Sequence, residues 1–157
     1  MERNIVLRLA DYGDVHDLFS WRNADVVRKQ CFDVKEVTFH EHELWFRGKL
    51  DDPQTVMFIA INNREKIGVV RFMVQEQHAT VSINLAPHLI GKGFGQEVIR
   101  EGTARLFKLR PSVNNIQAMI KSSNEASKAV FSKAGYCIKS IASDVVTYIC
   151  EKNKEGE

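Results

Sequence analysis

Apolar positions along the chain change their spacing several times, and each change marks an element. Ile5 to Leu9 alternates with the period of a strand. From Asp14 to Asn23 (DVHDLFSWRN), Val15, Leu18, Phe19 and Arg22 recur at helical spacing, with acids at the start. Thr38-Phe39-His40-Glu41 reads as a capping box that opens a helix running to about Leu50, where Asp51-Asp52-Pro53 ends it. Val56 to Ile61 and Ile67 to Val74 are apolar, β-branched runs, and Asn62 to Lys66 between them predicts a hairpin turn. Ala79 to Leu85 alternates, with Val81, Ile83 and Leu85 on one face and Thr80, Ser82 and Asn84 on the other. Pro87 cannot donate to a ladder and stops that strand.

A helix follows from about Gln96 to Lys108, with Val98, Ile99, Gly102 and Leu106 on one face, and then a strand from Asn115 to Ile120. Ser123 or Asn124 can cap a helix to Ala134, with Gly135 as its left-handed stop. Cys137 to Ser140 and Val145 to Cys150 complete a final hairpin. The order β-α-α-β-β-β-α-β-α-β-β has too many adjacent strands for a regular doubly wound sheet. It predicts an α/β fold, a mixed sheet with helices on both faces.

Composition narrows the class. The 157 residues suit a single domain over 1–157, and 44% hydrophobic with 27% charged residues is an ordinary globular mix. A formal net charge of +2 gives no reason to expect nucleic acid or an anionic membrane as partner. Cys31, Cys137 and Cys150 are odd in number and make no C-x-x-C pair, which favours a reducing compartment over disulfides or zinc. The N-terminus MERNIVLRLAD is charged at once, and no apolar run approaches membrane-spanning length. A cytoplasmic protein without a metal is the expectation.

Candidate chemistry centres on NLAPHLIGKGFGQEVI, Asn84 to Ile99. A magnesium-dependent phosphate loop needs Ser or Thr directly after Gly-Lys, and Gly93 stands there instead. A dinucleotide fingerprint counted from Gly91 or Gly93 meets Gln96 or Val98 where its third glycine belongs. What remains is a strand, a glycine turn and a helix N-terminus, whose outward amides and dipole suit a diphosphate.

This stretch resembles motif A of the GNAT (GCN5-related) N-acetyltransferases, Arg/Gln-x-x-Gly-x-Gly/Ala, with Gly93 and Gly95 at the two small positions and Ile90 in place of the Arg or Gln. NEASKAVFSKAGY, Asn124 to Tyr136, resembles motif B of the same family. The resemblance runs from about Ile5 to Ile149. It implies the GNAT-type fold, with a mostly antiparallel central sheet, and acetyl-CoA as cosubstrate. The coenzyme A pyrophosphate would lie on the amides of Gly91, Lys92, Gly93, Phe94 and Gly95, and the acyl-pantetheine arm along the strand end at Asn84, Leu85 and Ala86. Asn124, Ser127 and Phe131 would line the same cofactor, and the Leu85 amide would polarise the thioester carbonyl.

Two departures bear on mechanism. Phe131 stands where many relatives carry a tyrosine that protonates the leaving thiolate, so water, Tyr136 or Tyr148 must serve, or the chain is a coenzyme A-binding module without turnover. Thr80 stands where many carry a glutamate base. A lysine amine, with a pKa of about 10.4, needs such help more than an α-amine near 7.7–8.0. WRNADVVRKQCF (Trp21 to Phe32) and FHEHELWF (Phe39 to Phe46) resemble relatives that acetylate UDP-linked 4-amino-6-deoxy sugars in pseudaminic- and legionaminic-acid-type pathways. The Trp-Arg-Asn piece is shared with Rim-type N-terminal acetyltransferases of ribosomal proteins. The resemblance therefore implies an acceptor wall with Trp21, Arg22, Asn23 and Trp45 on the substrate. His42 and Asn84 are the candidates for proton transfer. A nucleotide-linked aminosugar leads as acceptor, a protein N-terminus is the alternative, and a homodimer is left open.

Overall fold

In the computed structural model, which describes residues 3–153, the strands are β1 (Ile5–Leu9), β2 (Thr55–Asn62), β3 (Glu65–Gln75), β4 (His78–Leu85), β5 (Asn115–Lys121), β6 (Cys137–Ala142) and β7 (Val145–Glu151). The helices are α1 (Val15–Asn23), α2 (Asp25–Arg28), α3 (Phe39–Asp51), α4 (Phe94–Leu109) and α5 (Glu125–Lys133). The expected order holds, with α2 added; one turn of helix is too short to carry a periodicity. All seven strands form one sheet in the order β1-β2-β3-β4-β5-β7-β6. Every neighbouring pair is antiparallel except β4 with β5.

Local chemistry explains the element boundaries. Asn63 and Arg64 both take positive φ (49° and 70°), the backbone a tight hairpin needs between β2 and β3. The capping box forms at α3, where Glu41 N donates to Thr38 Oγ1 at 3.2 Å and Thr38 N donates to Glu41 Oε2 at 3.1 Å. At α5 the capping residue is Asn124, whose Oδ1 accepts from Ser127 N at 3.1 Å.

The two faces of the sheet carry different helices. Gly102 of α4 lies against Val70 and Phe72 of β3, and the buried side chains Val98, Ile99 and Leu106 fill the same layer. Cross-strand register puts Val81, Ile83 and Leu85 of β4 on that face. On the other face Trp45 of α3 meets Arg71, and Lys49 reaches Met73. The same register aligns Arg71 with Ser82 and Met73 with Thr80 there. The polar half of β4 thus looks toward α1 and α3. Among the described residues no helix is long and apolar enough to cross a membrane.

β4 and β5 pair over only three positions, His78↔Asn115, Ala79↔Ile116 and Thr80↔Gln117. Beyond Thr80, β4 continues beside β3 and β5 beside β7. The sheet therefore opens into a gap at the C-terminal end of β4, beside the glycine loop.

Asp14 pins the first helix to the sheet. It is wholly buried and accepts from Arg8 at 2.7 and 2.8 Å and from Asp11 N at 2.9 Å, with Lys66 at 2.8 Å. Burial alone would raise its pKa, but the bonds from Arg8 and Lys66 together with Asp11 N outweigh it and hold the carboxyl at about 2. A folded-state pKa below the unfolded one stabilises the protein above the unfolded value, and that stability is lost as pH falls through about 2. Asp14→Asn should cost about 2 kcal/mol at pH 7. In denaturant titrations the gap between wild type and variant should narrow between pH 5 and pH 2.

Candidate active site

The glycine loop turns the chain sharply from β4 into α4. β4 stops before Pro87, one 3-10 turn follows (Pro87–Leu89), and Gly91 and Gly93 take φ of 82° and 87°. Side chains rarely adopt that backbone, so the loop needs glycine at both positions. Gly93 is the residue before α4, and the first amides of that helix have no partners within it. With the helix dipole they present partial positive charge where the gap opens. At Gly95 a Cβ would sit 3.1 Å from Val130 Cγ1, so glycine lets α4 approach α5 closely.

Arg3 secures this loop, and sequence reasoning missed it. Its Nη1 donates to Glu97 Oε1 at 2.9 Å and its Nη2 to the Lys92 carbonyl, while the guanidinium lies 4.5 Å from the Phe94 ring centre. The partners are some ninety positions apart in the chain, and no local pattern joins them.

Strand alternation orients the Leu85 amide. Ala86 N donates to Ile67 O on β3 at 2.8 Å, so the preceding amide, that of Leu85, faces the opposite edge and the gap toward β5. Ala86 itself is buried. Ser127 and Val130 lie three apart on α5 and share a face, which brings Ser127 toward Gly95 and the α4 side. Asn124 is buried and its Oδ1 is committed to capping, leaving Nδ2 as its remaining donor group.

Phe131 is a core residue, edge-on to Tyr136 at 5.1 Å. Tyr136 shares a 2.8 Å hydrogen bond with Thr103, and burial pushes its phenol well above the ordinary range. Tyr148 lines a groove of about 310 Å³ between α5 and the β6–β7 hairpin, on the other side of α5 from Val130. Neither hydroxyl stands ready as the acid that Phe131 cannot be.

On the acceptor side the structure places the candidate residues in different surroundings. Trp21 is buried in the core, because its position on α1 faces the sheet with Val15 and Leu18. Asn23 spends its amide on the Val37 backbone, donating at 2.8 Å and accepting at 2.9 Å, and so fastens the segment after α2. Arg22 adds a bond from Nη2 to the Asp33 carbonyl at 2.9 Å, while its Nη1 is buried without a partner. His42 is 5% exposed, among Phe19, Trp45 and Phe46. Burial lowers its pKa against an opposing bond to the Val15 backbone, and its Nε2 has no partner. Trp45, by contrast, keeps 41% exposure. Thr80 and Ser82 are exposed and Asn84 half-buried on the same side. Among the described residues no three His, Cys, Asp or Glu side chains gather as metal ligands would.

These features are what the acetyltransferase (GNAT) domain family would require, and that family's sequence profile matches residues 4–136. The chain belongs to the GNAT acetyltransferases: it is an N-acetyltransferase with acetyl-CoA as cosubstrate. Solved structures with the same fold include an aminoglycoside acetyltransferase, AAC(6')-Ib, in complex with coenzyme A (20% identity, TM-score 0.84, 95% of each chain). Another is spermidine N-acetyltransferase from Vibrio cholerae with CoA and spermine (19% identity, TM-score 0.83, 94% of this chain and 95% of that one). A domain from Methanocaldococcus jannaschii is similar too (19% identity, TM-score 0.83, 96% and 100%). No curated protein matches the chain by sequence.

Gly93→Val should force a side chain into a left-handed backbone, at a cost of about 1–2 kcal/mol, and press it against Arg3, 3.0 Å from the new Cβ. Calorimetric affinity for coenzyme A should fall at least tenfold while the far-UV circular dichroism stays native. Undiminished affinity would remove the loop from the site.

Proposed function

We propose that the acceptor amine is carried by a nucleotide-linked amino sugar, most specifically the 4-amino group of a UDP-linked amino-deoxy sugar. The observation that carries this reading is Trp45, a large aromatic ring left 41% exposed beside the polar face of β4. Such a ring stacks on a sugar face or a uracil, while Thr80, Ser82 and Asn84 offer hydroxyl and amide partners. None of those three is a strong base, which suits an amine less basic than lysine. The aminoglycoside acetyltransferase among the similar structures takes, by its name, acceptors whose amines are borne on sugar rings.

Acetyl-CoA supplies the thioester when bound. The chain's contribution is then positional and electrostatic. Amides from Gly91 to Gly95 hold the pyrophosphate, and Lys92 adds a charge at the loop. The Leu85 N–H donates to the carbonyl oxygen as negative charge grows there. As the amine nitrogen bonds to the acetyl carbon and the C–S bond breaks, a proton leaves the nitrogen through water held at Asn84, Ser82 and Thr80. The thiolate takes its proton from solvent, since Phe131 has none to give. His42, enclosed and with its pKa lowered by burial, packs against Trp45 rather than reaching the amine.

Thiol release with a UDP-4-amino-6-deoxy sugar, a peptide with a free N-terminus, spermidine and kanamycin tests the reading. Release with the sugar nucleotide alone is expected. Release only with the peptide would make the protein a Rim-type enzyme, and release only with spermidine or kanamycin would overturn the sugar nucleotide.

A further inference from the structure

Arg71 on the acceptor face has no counter-charge. Arg71, in the middle of β3, donates from Nε and Nη2 to Ser82 Oγ at 3.3 and 3.2 Å, and its guanidinium lies 4.9 Å from the centre of the Trp45 ring. No carboxylate among the described residues lies within ion-pair distance of it. Other cations are paired with acids: Arg8 and Lys66 share Asp14, Lys66 also holds Asp17, and Arg3 holds Glu97. Burial lowers the Arg71 pKa, and no neighbouring acid restores it.

Further cations lie on this side. The charge of Arg22 is close enough to lower the His42 pKa, and the His42 ring is 5.7 Å from Trp45. Lys121, at the end of β5, donates to the Lys29 carbonyl at 3.4 Å. A desolvated cation without a counter-charge costs free energy, which an arriving oxyanion recovers. The same cation repels a polyamine.

We propose that Arg71 is the anion subsite of the acceptor: it binds a phosphate or carboxylate oxygen carried by the amine substrate and excludes polycations. This rests on the reading above that the polar face of β4 receives the acceptor. It sets the chain apart from neighbours whose names point to spermidine and aminoglycosides, which are polycationic at neutral pH. Spaced on β3 behind Ser82, Arg71 would hold the anion away from the reacting amine, which belongs near the Leu85 amide.

Calorimetry on protein saturated with coenzyme A tests this, because the loop is then filled and a second anion reports on Arg71. UDP, L-serine and spermidine are titrated into wild type, Arg71→Met and Arg71→Lys. The expected result is UDP binding to wild type, at least tenfold weaker in Arg71→Met and intermediate in Arg71→Lys, with no spermidine binding. Coenzyme A affinity and melting temperature serve as controls; if Arg71→Met disturbs either, the comparison rests on Arg71→Lys. Arg71-dependent binding of L-serine but not UDP would keep the subsite and overturn the sugar-nucleotide reading. Spermidine binding to wild type, or the absence of Arg71-dependent binding of both anions, would overturn the subsite itself.

Discussion

Everything functional in this protein depends on the parting of β4 and β5. Parallel pairing lasts from His78 to Thr80, and then each strand follows its other neighbour, β3 or β7. Backbone groups left unpaired by the divergence become groups available to a ligand. The Leu85 amide is one of them. Beside it the start of α4 packs closely on α5, where Gly95 lies against Val130. A continuous sheet would have satisfied those groups internally and left no cleft.

Charge is handled in two ways on the two flanks of that opening. Where the protein needs rigidity, cations and anions are matched: Asp14 with Arg8 and Lys66, Arg3 with Glu97. Where a substrate is expected, donors are left over. The first amides of α4 have no partners within the helix, and the Arg71 guanidinium has no carboxylate within ion-pair distance. Matched pairs fix geometry; unmatched donors give an incoming anion its binding energy.

Much of the fold was legible along the chain because it follows local rules. The capping box at Thr38 and Glu41, the Asn124 cap and the alternation of β4 are written within a few residues. The glycine loop was legible for the same reason, since positive φ and a helix start leave a local trace in Gly91 and Gly93. Side-chain roles on α1 and α3 were not. Trp21 and Trp45 are the same residue type in similar helical contexts, yet one is buried and the other open. The difference lies in which face each helix turns to the sheet.

By itself, then, the sequence determined the order of the main elements, the glycine turn ahead of α4 and the family, because each is set by neighbouring residues or a short motif. Only the tertiary structure decided which residues stand at the site. Arg3 reaches Lys92 and Glu97 across the fold, Asn23 is spent on Val37, and Arg71 comes to lie between Ser82 and Trp45 without an acid. Those facts arise from contacts between distant segments. Whether a side chain is partnered or free is a property of the packed chain, and no local pattern encodes it.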